Sequence, residues 1–174
     1  MTKAEVLALV AEKYPNFKIP DIFWVGMRGY YKKTMGDPDQ NDRAMYDDAI
    51  FLVAKDEFVS YNANCDPSRF VKNVANLKAG VWSVYRFDKH RGAYIALCQR
   101  AGKVTVIRDG VGEDTGMFGI NIHRGGFSNT GSEGCQTIVP AQWDDFITYG
   151  MKIARKYDMQ NWANKAYTYV LIDL

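Results

Sequence analysis

The sequence predicts an α+β, β-rich fold: a barrel-like sandwich with one helix at the N-terminus and a second helix after Cys135. Three observations carry this. Short apolar runs separated by turn residues recur from residue 50 to residue 108, at the spacing of a sheet that folds back on itself. Thr2-Lys3-Ala4-Glu5 has the form of a capping box ahead of an amphipathic stretch. Trp143, Phe146, Ile147, Gly150 and Ala154 repeat at helical spacing behind Pro140, a residue suited to the first turn.

In chain order, Val6, Leu7, Val10 and Ala11 form the apolar stripe of the first helix, which Tyr14-Pro15 ends because a residue before proline avoids the helical region. Phe23-Trp24-Val25 reads as a short strand, and residues 36–42 as a loop by their turn chemistry. Strands are expected at 50–54 and 58–62 around a Lys55-Asp56 turn, then at 81–87, 94–99 and 104–108, with Arg100-Ala101-Gly102 as a hairpin turn. A further strand over 118–123 places Ile120 and Ile122 on one face and Asn121 and His123 on the other. A closing strand is expected at 167–172. No repeat, low-complexity segment or linker interrupts the chain, so one domain over residues 1–174 is expected, with its core from about residue 20.

Composition narrows the function. Net charge is +2 and no Lys/Arg run stands out, so a dedicated nucleic-acid binder is not indicated. No apolar stretch is long enough for membrane insertion, and the N-terminus lacks the pattern of a secretion signal, which points to synthesis in a cytoplasm. Cys65, Cys98 and Cys135 are odd in number and far apart, so free thiols are expected. Closely spaced Cys or His pairs are absent, and neither a metal nor an organic cofactor is invoked.

The chemistry concentrates in residues 120–138. A strand delivers His123 at its end, a glycine-containing loop follows, and Ser132-Glu133-Gly134-Cys135 leads into a second apolar strand. A thiol is a strong nucleophile only as thiolate, and a nearby imidazole activates it. Gly134 leaves room beside the sulfur, and backbone N–H groups around Gly134 and Cys135 are candidates for an oxyanion site. Taken alone, Cys135 reads more readily as a small buried hydrophobe than as a nucleophile, and His123 more readily as a satisfied core histidine; their occurrence together on one glycine-rich turn is what favours chemistry. His90, between Lys89 and Arg91, reads as an exposed loop residue and the second choice of base.

This segment resembles the catalytic motif of L,D-transpeptidase (YkuD-like) domains, an upstream His followed by Ser-His-Gly-Cys. His123, Ser132, Gly134 and Cys135 match it. Asn-Ile-His-Arg-Gly-Gly followed by Gly-Ser-Glu-Gly-Cys-Gln-Thr-Ile is most similar to the phage-encoded peptidoglycan hydrolases of that family, and a looser likeness covers most of residues 24–147. Glu133 departs from the family's His, eleven residues separate His123 from Cys135, and Gln136-Thr137 replaces an apolar residue followed by Arg or Asn.

The resemblance implies acyl transfer on a murein peptide. Cys135 is then the nucleophile and His123 the base and later the acid, oriented by a backbone carbonyl or by Glu133. Ser132 and Gly134 build the oxyanion region. Arg124, Arg28, Glu133, Gln136 and Tyr85 are candidates for substrate contact. For four of these there is a plainer reading: Arg124 as a solvated or structural residue, Arg28 as a surface or loop-bracing residue, Glu133 as a solvated carboxylate, Tyr85 as core. The implied protein is a monomeric phage lysin, made in the host cytoplasm and acting at the cell wall or periplasm. A transpeptidase or carboxypeptidase of the same fold, and a non-catalytic wall-binding or virion module, are the alternatives.

Overall fold

The computed structural model describes residues 1–174. Strand accounts for 37% of the chain and helix for 19%, so the sheet dominates the α+β fold. Helix α1 (Lys3–Lys13) opens on the expected capping box: the Thr2 hydroxyl accepts from the Glu5 N–H at 3.3 Å and the Glu5 carboxylate accepts from the Thr2 N–H at 2.6 Å. Then follow β1 (Ile22–Arg28), β2 (Asp48–Ala54), β3 (Phe58–Asn64), β4 (Ala75–Leu77), β5 (Gly80–His90) and β6 (Tyr94–Gln99). After these come β7 (Val104–Arg108), β8 (Gly112–Gly116), β9 (Ile122–Arg124) and β10 (Gln136–Ile138). Helix α2 (Pro140–Asp158) precedes the last strand, β11 (Tyr167–Asp173). Neither helix is long and apolar enough to cross a membrane.

Eight strands close into a barrel in the order β1-β11-β5-β6-β9-β10-β3-β2, and β4-β7-β8 form a separate small sheet. Strands β1, β2 and β11 are apolar at nearly every position because both of their faces are covered. Ile22, Trp24, Ile50, Leu52, Tyr169 and Leu171 join one cluster with Phe146 and Ile153 of α2. The alternate residues Phe23, Val25, Phe51, Val53, Val170 and Ile172 pack with Val6 and Val10 of α1. Period-two alternation thus sorts each strand between two cores.

The structure corrects several boundaries. Residues 118–121 are not strand; only Ile122–Arg124 is. Gly119 sits at φ +71, which breaks the extended run, and the Gln99 side-chain carbonyl instead accepts the N–H groups of Phe118, Gly119 and Ile120 at 3.2, 2.9 and 3.1 Å. Strand β5 runs on to His90, which is therefore not an exposed loop residue but a buried strand end. Strands β4 and β8 carry no apolar alternation long enough to announce them.

Candidate active site

Strands β9 and β10 lie parallel and adjacent, with Ile122 opposite Gln136 and His123 opposite Thr137. The Gln136 N–H donates to Asn121 O at 2.8 Å, extending the pairing one step before β10, where Cys135 stands. Cys135 and His123 consequently sit one diagonal step apart, and both line a cavity of about 640 Å³.

The local fold around the cysteine is set by Ser132 and Gly134. The Ser132 hydroxyl accepts from the Gly134 N–H at 3.0 Å and donates to Cys135 O at 2.5 Å, closing a tight turn. Gly134 has φ +143, and a Cβ there would lie 2.6 Å from the carbonyl oxygen of Ala75 in β4, so only glycine fits. This arrangement corrects one expectation. The Gly134 N–H is already engaged and the Ser132 hydroxyl is a brace, whereas the Cys135 N–H makes no hydrogen bond within the protein.

His123 is 7% exposed. Its Nδ1 lies 2.8 Å from Arg124 O, and a carbonyl can only accept, so Nδ1 carries the proton and Nε2 keeps its lone pair. The backbone carbonyl, not Glu133, orients the ring. Burial, reinforced by His90, pulls its pKa down from 6.5 to about 4.

His90 stacks on His123 with ring centroids 4.2 Å apart and planes 20° from parallel. A backbone N–H, that of Gln99, donates to Asn121 Oδ1 at 2.9 Å and so fixes the orientation of the Asn121 amide. Asn121 Nδ2 then donates to His90 Nδ1 at 3.0 Å, leaving the His90 proton on Nε2. Burial lowers the His90 pKa as well. The site therefore rests with two neutral imidazoles face to face.

The thiol is also neutral at rest, because burial pushes the Cys135 pKa up. Its Sγ donates to Gly119 O and accepts from the Asn121 N–H, each at 3.4 Å. It makes no hydrogen bond to His123.

Other expected contact residues divide. Glu133 lines the cavity and is exposed. Arg124 is exposed, lies 5.6 Å from the Tyr94 ring centroid and borders a neighbouring depression with His123. Gln136 faces the core, where the Tyr169 hydroxyl donates to its side chain at 3.3 Å. Tyr85 is buried with its ring packed edge-on to Tyr169. Arg28 lies elsewhere in the fold and is fully engaged. It pairs with Asp66 and with Asp173 at 3.0 Å each, and donates to the carbonyls of Cys65 and Leu77. Gln136, Tyr85 and Arg28 thus do not reach the cavity, because each is consumed by core or cross-strand partners. Sequence reading missed Gln99 and the role of Asn121; the placement of Asn121 on the His123 face was the one available signal.

No three His, Cys, Asp or Glu side chains converge to hold a metal ion. The chain matches no family model, no curated protein and no solved structure.

Proposed function

We propose that this protein is a cysteine peptidase that cleaves peptidoglycan stem or cross-bridge peptides. In this reading it is a phage lysin of the L,D-transpeptidase (YkuD-like) kind, made in the host cytoplasm and acting at the wall. The observation that carries the reading is the shared cavity: a carbonyl-oriented imidazole with a free Nε2 on β9 and a thiol one residue before the adjacent parallel strand β10 line the same space.

The chemistry that follows is acyl transfer between neutral partners. As the sulfur attacks the substrate carbonyl carbon, His123 Nε2 takes the thiol proton, and a C–S bond forms while the carbonyl oxygen gains negative charge. The unpartnered Cys135 N–H is the backbone donor left for that oxygen, and a donor of this kind lowers the barrier by on the order of 3 kcal/mol. The C–N bond then breaks and His123 returns its proton to the leaving amine. Water, with His123 again as base, hydrolyses the thioester and restores the thiol. Sγ must first leave Gly119 O, since at rest it makes no hydrogen bond to the imidazole.

That parked thiol favours a second reading, a wall-binding module without turnover. Digestion of purified sacculi decides between them. The peptidase reading expects soluble peptides from the wild type and none from Cys135→Ala, with mass spectrometry of the products identifying the bond and showing whether water or an amine accepts the acyl group. Sacculi that bind the protein but release nothing would leave the module.

A further inference from the structure

The protein carries a net charge of only +2, yet the rim of the Cys135 cavity is strongly basic. Arg69, Arg91 and Arg108 line it, against Glu133 alone on the acidic side. These cations are not equivalent. Arg108 is held by Asp114 at 2.8 Å and by Asn73 O at 3.0 Å. The Arg69 and Arg91 side chains are exposed, and neither has an ion pair or hydrogen bond within the protein. Both residues also border a second depression that adjoins the cavity across Ser132 and Glu133, so they share one mouth.

The placement of Arg91 is unusual for backbone reasons. It stands at the tip of the β5–β6 hairpin with φ +49, followed by Gly92 at φ +73. Two successive positive φ values define a turn that selects Asn, Asp or Gly at its first position. An arginine there is strained in its backbone and gains no protein partner in return. The turn follows directly on His90, and Arg91 lines the same cavity as His90 and His123. Among the influences on the Cys135 thiol, burial is the largest and the Asn121 N–H the next; the Arg91 charge follows and favours the thiolate.

We propose that Arg69 and Arg91 form a carboxylate-binding subsite at the mouth of the Cys135 cavity, which selects peptides bearing a free carboxylate close to the bond attacked. Arg is suited to this because its planar fork matches a carboxylate with two parallel hydrogen bonds. The subsite's part in choosing the scissile bond rests on the peptidase reading; its affinity for anions does not.

Alkylation of Cys135 by iodoacetate and by iodoacetamide tests the subsite without turnover. The two reagents attack the same sulfur and differ in a carboxylate against an amide, so the ratio of their rates cancels any change in thiolate fraction. Peptide mapping assigns the label to Cys135, since Cys65 and Cys98 are buried. At low salt, the iodoacetate-to-iodoacetamide ratio should exceed that of N-acetylcysteine amide, a reference thiol without a carboxylate, by about 5-fold, and 1 M salt should erase most of the excess. Arg91→Asn, which keeps a residue tolerant of positive φ, and Arg69→Gln should each lower the ratio by roughly 2- to 3-fold. A wild-type ratio equal to that of the free thiol, or a ratio insensitive to both salt and Arg91→Asn, overturns the subsite. The salt arm needs no variant, so it holds even where a substitution misfolds. A shifted ratio in a protein that leaves sacculi intact retains the subsite and removes the peptidase reading. Digestion of sacculi with an unshifted ratio does the reverse.

Discussion

His123 and His90 lie face to face with little access to water, so protonating either ring is opposed by desolvation, reinforced at His123 by His90 and at His90 by the Arg91 and Arg100 charges. Their hydrogen bonds agree: each ring spends only Nδ1 on the protein, His123 as donor and His90 as acceptor, and both are neutral. The acid limb of kcat/KM on a released stem peptide should therefore fall near pH 4, the folded pKa of His123, rather than near the 6.5 of a free imidazole. Side-chain NMR should show the His123 ring neutral down to about pH 5. The stability consequence has a definite sign. Between pH 6.5 and about 4 the unfolded chain binds a proton that the fold refuses, so stability is lost as pH falls through that window. The loss reaches about 3 kcal/mol for this group, and urea melts of the wild type should drop further across the window than those of His123→Gln. A limb at pH 6–7 in both kinetics and NMR contradicts the buried neutral pair.

At the scale of elements, the three-residue strand β4 governs the nucleophile. Its Ala75 carbonyl sits where a Cβ on residue 134 would go, and Gly134 in turn aims Cys135. Gly134→Ala should cost about 1–3 kcal/mol and shift Cys135, lowering peptide release by tenfold or more, with thermal melts and sacculus digestion as the readouts. Retention of full activity by that variant contradicts the seat. This coupling also explains what was legible in the sequence. Cys135, His123 and Gly134 stand within one strand–turn–strand segment, so their juxtaposition could be read locally. Helix α1 was legible in its capping box and α2 in its apolar stripe. His90 was not, because the amide that holds it belongs to Asn121, 31 residues away, and only strand pairing brings the two together. Arg28 and Tyr85 misled for the same reason: their side chains answer to Asp66, Asp173 and Tyr169, partners that only the closed sheet supplies. Nor could β4 and β8 be foreseen, since the small sheet draws on short or polar segments.

For the whole molecule, closure depends on the last strand. Strand β11 is inserted between β1, to which it runs parallel, and β5, to which it runs antiparallel. Without it the barrel has two open edges, and unpaired edges recruit other chains. The strand also contributes to both cores: Tyr167, Tyr169 and Leu171 to the one that includes α2, Val170 and Ile172 to the one that includes α1. At about 1.5–3 kcal/mol for each fully buried large side chain, these five amount to roughly 8–15 kcal/mol. That equals the whole net stability of a typical domain, about 5–15 kcal/mol. A chain ending at Lys165 should therefore not form a cooperative fold, even though it retains His90, His123 and Cys135. It should lose near-UV circular dichroism, bind a hydrophobic dye and aggregate at micromolar concentration. Substituting Tyr169 alone with Phe should be far milder, because that change removes only the hydroxyl that donates to Gln136 and leaves the ring in place. A truncated chain that stays soluble and unfolds in one sharp transition would show that the remaining strands close without β11, and that the two cores are stable independently of the strand they share.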